Sequence, residues 1–268
     1  MQNLLKTKDG SFSLYSEKYG DFYHSTKDGA ILETLYKHII PTFAFVCDSP
    51  NHKDLAKNPI KILDICFGLG YNALFSLAYA KKCGIAVKIY SVELHLLESL
   101  RDFAYPKILS HYLPLREILD SLFLRGAWES ENLSLYLHKG DAKIYLQNLA
   151  DSHQNSVSQT FDIIYQDAFS PTKNTELWDK THFQNLHALL KNDCVISTYS
   201  SNKKMREICQ NLGFTIYNMQ CGNLKNGTLL RKNPQDLRQI YASKLPQIAQ
   251  NLQIDCIKLE KIQTFLQV

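Results

Sequence analysis

The sequence predicts an α/β fold, a mostly parallel sheet with helices on both faces, and three observations carry that prediction. From about residue 60 onward, short apolar segments alternate with helical ones. The first of these segments, ILDICFGLGYN, closes on an acid, Asp64, and turns through Gly68 and Gly70 into a helix. The segments that follow end in acids as well: Glu93 in IYSVELH, Asp141 in the GDA that follows the third segment, and Asp167 in QDAFSPTKN.

Taken in order, residues 16–43 stand outside the alternation and read as an extended stretch, a turn, and an amphipathic helix over 28–39 that Pro41 stops. Strands are expected at 61–66, 87–93, 133–138, 161–167 and 195–200, each rich in Ile, Val, Leu or Tyr as a strand buried on both faces should be. Helices are expected at 72–82, 96–124, 142–149, 176–190 and 202–212, the last closed by Gly213 before a further strand, FTIYNMQ. Residues 48–59 and 150–160 are polar connections, and 234–268 is helical in composition. The domain reading is an N-terminal extension with a lid or substrate segment (1–58), a catalytic core (59–232) and a C-terminal helical extension packed on it (233–268).

Composition narrows the function. Forty-five percent hydrophobic residues over 268 positions is enough for one large domain, which excludes a disordered tail. Seven dispersed cysteines without a CxxC pair are neither a disulfide framework nor a zinc ribbon, and no His/Cys/Asp cluster has metal-ligand spacing, so no metal is expected. The first residues offer no apolar signal segment and no stretch is long enough to span a membrane, so the expected setting is the cytoplasm. The net charge of +4 is unevenly spread: residues 1–200 hold 20 basic and 22 acidic residues, residues 201–268 hold 10 and 4. Lys203, Lys204, Arg206, Lys225, Arg231, Lys232 and Arg238 make a basic region that could meet a phosphate backbone, or form a solvated helix face.

A strand, a glycine turn and a helix can cradle a nucleotide cofactor, because glycine lets the backbone approach a ligand at a helix N-terminus; the same turn can also simply pack a helix on its strand. Four acids at successive strand ends favour the cradle, since open sheets of this kind bind ligands at that edge. A carboxylate at Glu93 can accept from both hydroxyls of a ribose, and Asp141 can meet an adenine amino group. The GxGxxG of dinucleotide folds fails after Gly70, and the GK[ST] of a P-loop is absent.

The constellation resembles the class I S-adenosylmethionine-dependent methyltransferases, with Cys66 where the first glycine of their motif usually stands. Four stretches in order, TKDGSFSLYSEKYGDFYHSTKDGAILET, ILDICFGLGYNAL, DAFSPTKNTELW and LKNGTLL, resemble the methyltransferase domain of the tRNA (5-methylaminomethyl-2-thiouridine) methyltransferase family from about residue 7 to residue 231. That resemblance implies a Rossmann-like, seven-stranded sheet and methylation of the aminomethyl group on the wobble uridine of tRNA. It implies S-adenosylmethionine contacts at Asp64, Phe67, Gly68, Gly70, Asn72, Glu93, Asp141, Ala142 and Asp167, with Asp167 orienting the amine and helping to take up its proton. Substrate contacts are expected at His24, Ser25, Glu33, Phe169, Pro171, Lys173, Trp178 and Lys225. Trp178 could stack a base or pack in the core. Many relatives carry a fused FAD oxidoreductase; no second dinucleotide motif is present here, so FAD is not expected and another enzyme would supply the aminomethyl uridine. Two alternatives stand beside this reading: a polyamine-synthase-like aminopropyltransferase, and a non-catalytic RNA-binding protein on the same fold.

Overall fold

The computed structural model describes residues 4–47, 54–154, 159–221, 224–234 and 264–267. It opens with a small antiparallel sheet of β1 (Leu4–Lys6), β2 (Phe12–Ser16) and β3 (Asp21–Phe22). Helix α1 (Ala30–Thr34), a π turn (Leu35–Ile39) and α2 (Ile40–Val46) follow without a break. The predicted stop at Pro41 is therefore corrected: the proline lies in the first turn of α2. The π turn before it already interrupts the four-residue hydrogen-bond ladder that a proline would break.

The main sheet alternates with helices as expected: β4 (Ile60–Ile65), α3 (Tyr71–Cys83), β5 (Val87–Glu93), β7 (Leu133–Lys139), α6 (Ala142–Gln154), β8 (Phe161–Gln166), α7 (Lys180–Leu189), β9 (Leu190–Thr198), α8 (Lys203–Asn211), β10 (Thr215–Cys221) and β11 (Gly227–Arg231). The predicted single helix over 96–124 is three pieces, a 3-10 turn (Glu98–Asp102), α4 (Lys107–Tyr112) and α5 (Leu115–Arg125). Pro106 and Pro114 separate them, each standing at the N-cap of the piece that follows.

Among the described residues the sheet has nine strands rather than the seven expected, in the order β12-β10-β11-β9-β8-β4-β5-β7-β6. The two additions are β6 (Ala127–Glu129), antiparallel to β7, and β12 (Thr264–Gln267), antiparallel to β10, one at each edge. Covering an edge strand satisfies backbone groups that would otherwise template pairing with another chain. The expected C-terminal helix lies mostly outside the described residues, and its described part, β12, is extended.

Strands β7, β5, β4, β8 and β9 are mutually parallel, whereas β11 is antiparallel to its neighbours. From β4 the chain moves outward to β5 and β7, then returns to the other side as β8 and β9. The order thus reverses between β4 and β8, and the crevice beyond the carboxyl ends there is where open sheets bind ligands. Ile60 and Ile62 of β4 enter the apolar cluster that holds α1–α3, while Leu63 and Ile65 enter the one that holds α6 and α7. Burial on both faces explains why these strands read as continuous apolar runs. No helix among the described residues is long and apolar enough to cross a membrane.

Candidate active site

The turn leaving β4 is built from left-handed backbone. Cys66, Gly68 and Gly70 have φ of 68°, 55° and 77°. A Cβ at Gly70 would lie 2.6 Å from the Phe67 ring, which leaves no room for any other residue there. Cys66, where a glycine was the expectation, adopts the glycine-like conformation itself. The turn is tied to β5 by two backbone donors, Phe67 N–H to the Val92 carbonyl at 3.0 Å and Gly68 N–H to Glu93 Oε2 at 2.8 Å.

Above this turn lies a cavity of about 360 Å3, within the range of small-molecule sites. Its floor is made by Phe67, Gly68, Glu93, Asp141, Ala142 and Asp167, and its roof by the N-terminal segment, including His24, Ser25 and Glu33. Phe169 and Lys225 complete the wall. Eleven of the residues singled out from the sequence therefore meet in one place.

The remaining ones do not line it. Asp64 is wholly buried inside β4 and accepts from Ser91 Oγ at 2.7 Å; its Oδ1 has no hydrogen-bond partner among the described residues. Burial, with Asp167 and Glu93 nearby, pushes its carboxyl up to about 7. Gly70 caps α3, and Asn72 reaches the cavity only through its amide, which donates to Asp167 Oδ2 at 2.7 Å. Pro171, half-buried, and Lys173, exposed, lie in the loop after β8 and do not line the cavity. Trp178 is in the core rather than against a base: its indole N–H donates to the Phe169 carbonyl at 2.7 Å and its ring packs edge-on to Tyr199. Tyr199, half-buried at the cavity, in turn donates to the Ala168 carbonyl at 2.9 Å, so two side chains pin the backbone that carries Phe169.

Each cavity acid has its own environment. Burial raises the Glu93 carboxyl, against the opposing N–H groups of Gly68 and His95. Asp141 Oδ1 accepts from the N–H groups of Lys143 and Ile144 at the start of α6, leaving Oδ2 for a ligand. Burial alone would raise Asp167, but His38, His24 and the Asn72 amide outweigh it and hold the carboxyl below its ordinary value. The His24 ring, 3.4 Å from Glu33 Oε2, is raised although burial opposes it.

Sequence reasoning missed four residues here. Tyr19 stacks on Phe169 with centroids 4.2 Å apart, and Tyr23 tilts against the same ring at 5.1 Å. Lys37 is buried and its ammonium donates to the Lys225 carbonyl. His38 is fully buried beside Asp167. The aromatic run near residue 20 was a visible signal; nothing local marks a helical Lys-His pair as facing a cleft. The predicted basic region also divides. Lys203 and Lys204 are exposed, whereas Arg206 turns inward to Thr228, Asn218 and the Gly227 carbonyl, and Arg231 is buried with its guanidinium 4.0 Å from the Phe45 ring. Arg238 lies outside the described residues.

Residues 113–232 match a family described as S-adenosyl-L-methionine-dependent methyltransferase. The crystal structure of MNMC2 from Aquifex aeolicus superposes with a TM-score of 0.72 at 27% identity, covering 94% of this chain and 84% of that one. The chain is similar over nearly its whole length to this MnmC methyltransferase domain. Among its relatives, the tRNA 5-methylaminomethyl-2-thiouridine biosynthesis bifunctional protein MnmC of Campylobacter fetus is 28% identical over 81% of this chain and 34% of its own length. Uncharacterized protein MJ0670 of Methanocaldococcus jannaschii is 28% identical over 86% of this chain and 60% of its own. The chain thus spans about a third of the one curated relative and 60% of the other. The fold and cofactor of the MnmC methyltransferase domain, a class I methyltransferase sheet and S-adenosyl-L-methionine, apply here. The site fits that cofactor: a side-chain-free approach at Gly68, a carboxylate at Glu93 with lone pairs beyond its two backbone donors, and a cavity of suitable volume.

Proposed function

We propose that the protein methylates the aminomethyl nitrogen on the wobble uridine of tRNA, giving 5-methylaminomethyl uridine with or without the 2-thio group. The observation that carries this reading is Asp167, an anionic carboxylate fixed at the cavity wall next to the glycine turn. The names of the MnmC relatives supply the substrate class. Glu93 takes the ribose hydroxyls, Asp141 the adenine amino group, and the backbone at Phe67, Gly68 and Ala142 frames the rest. When bound, the cofactor supplies an electrophilic methyl group on a positively charged sulfur.

An amine attacks such a carbon only with a free lone pair, so it must shed a proton and be aimed. Asp167 accepts an N–H of the amine and so turns its lone pair toward the methyl. Because the carboxyl is held below its ordinary value, it is a poor resting place for the amine's proton. The proton leaves through the cavity mouth to solvent, which refines the expectation that Asp167 takes it up. Phe169, backed by Tyr19, forms an apolar face for the uracil ring. Exposed Lys27 and Lys225 at the cavity, with exposed Lys18, 5.2 Å from the Tyr19 ring, and Lys173 beside Gly20, replace Arg206 and Arg231 as phosphate contacts. In this reading a different activity makes the aminomethyl group.

Mass spectrometry of tRNA nucleosides from a strain lacking the gene tests the reading. Aminomethyl uridine should accumulate in place of its methylated form; an unchanged nucleoside profile would overturn it.

A further inference from the structure

The π turn between α1 and α2 carries two polar side chains to the site, Lys37, which lines the cavity, and His38, which lies beside Asp167. His38 has no solvent exposure; its Nδ1 lies 2.9 Å from Ser197 Oγ on β9, and its Nε2 lies 3.4 Å from Asp167 Oδ1. Tyr165 of β8 packs edge-on against the ring. π turns are rare and frequently mark functional positions, because the extra residue re-aims side chains that a regular helix would place elsewhere.

The contacts restrict the protonation of the ring. Nε2 makes no hydrogen bond among the described residues, but at 3.4 Å from Asp167 Oδ1 a proton on it makes the contact attractive, whereas a bare Nε2 would set two lone pairs against each other. Ser197 Oγ can donate to Nδ1 in the neutral ring or accept from it in the charged one. Either state keeps an N–H on the Asp167 side. Asp167 then meets a different element at each oxygen: the ionic contact of His38 from the π turn at Oδ1 and the hydrogen bond of the Asn72 amide from α3 at Oδ2.

We propose that His38 is a positioning residue for methyl transfer, fixing with Asn72 the plane of the Asp167 carboxylate so that one defined edge meets the substrate amine. The proposal rests on the function proposed above. Other groups bear on Asp167 as well: His24, paired with Glu33, favours the anion from the roof, and the buried Asp64 opposes it from β4. Cys66 and Tyr199 also adjoin it, but burial pushes both well up, so they stay neutral. Removing His38 leaves His24 and Asn72 to offset the burial of Asp167, and the carboxyl should titrate higher.

Three measurements on wild type, His38→Ala and His38→Gln test this: S-adenosyl-L-methionine affinity by calorimetry, kcat across neutral pH with tRNA bearing aminomethyl uridine, and titration of Asp167 by NMR of carboxyl-labelled aspartate, assigned with Asp167→Asn. In His38→Ala, cofactor affinity should stay within about threefold, kcat should fall about tenfold or more, and Asp167 should titrate higher with a steeper loss of kcat on the acid side. In His38→Gln, whose amide can donate in place of Nε2–H, both should recover in part. An Asp167 titration and kcat unchanged in His38→Ala would overturn the proposal. Should that variant fail to fold, Ser197→Ala, which releases Nδ1 alone, should move both readings the same way by less, and no movement would overturn it equally. If wild type methylates no tRNA while His38→Ala still raises the Asp167 titration, the coupling stands and the proposed substrate falls.

Discussion

The backbone N–H of Gly68 donates to Oε2 of Glu93 at 2.8 Å, so the acid that ends β5 holds the turn that leaves β4. The cofactor cradle is therefore a joint product of two strands. A carboxylate oxygen has lone pairs enough to hold the turn and still accept from a ligand hydroxyl.

Replacing Glu93 with Gln removes the charge from both roles. Charge-assisted hydrogen bonds are worth about 1.5–3 kcal/mol each, so cofactor affinity should weaken by roughly 10- to 100-fold. Calorimetry with S-adenosyl-L-methionine measures this directly, and an unchanged affinity would remove Glu93 from the binding site.

Cys66 carries a different expectation. It is the non-glycine residue at positive φ among the described residues, a conformation that costs a side chain about 1 kcal/mol or more. Cys66→Gly should therefore raise stability by about 1 kcal/mol, a shift of a few degrees in Tm for a domain of this size. Thermal unfolding checks it. A lower Tm would mean that the half-buried thiol contributes more packing than its backbone costs.

The buried carboxyl of Asp64 makes stability depend on pH. Its folded value, about 7, lies above its ordinary value of 3.8. Between those limits the folded protein keeps a proton that the unfolded chain has lost, so this group's contribution falls as pH rises from about 4 to about 7 and is flat above. Asp64→Asn keeps an acceptor for Ser91 without the charge. Its Tm relative to wild type should be more favourable at about pH 8 than at about pH 5, and an equal difference at both would contradict the burial account.

Most of the sheet was legible from the sequence because its central strands are buried on both faces, as Ile60, Ile62, Leu63 and Ile65 show within one strand. What escaped depended on tertiary context. The helix over 30–46 continues past Pro41 only because a π turn precedes it, and no local pattern announces that turn. Pro106 and Pro114 were visible breaks whose meaning an apolar run obscured. In the site, Glu93, Asp141 and Asp167 could be placed by strand ends alone, because strand ends are where such sheets bind. Asp64 shares the pattern but belongs to the interior of β4, one residue before that strand ends, and its side chain is fully buried. His38 and Lys37 come from a helix far upstream and meet the site only through packing. Arg206 and Arg231 looked like phosphate contacts by charge, yet the one bonds to β10 and β11 and the other lies over Phe45.

The most direct test of the account is methyl transfer by the purified protein. Wild type and Asp167→Asn are incubated with S-adenosyl-L-methionine and tRNA that carries aminomethyl uridine, and the nucleosides are read by mass spectrometry. Wild type should add one methyl group to the wobble nucleoside, while Asp167→Asn should lose about 100-fold or more in kcat with cofactor affinity changed only a few-fold. No methylated nucleoside with wild type, or equal turnover by the variant, would contradict the account.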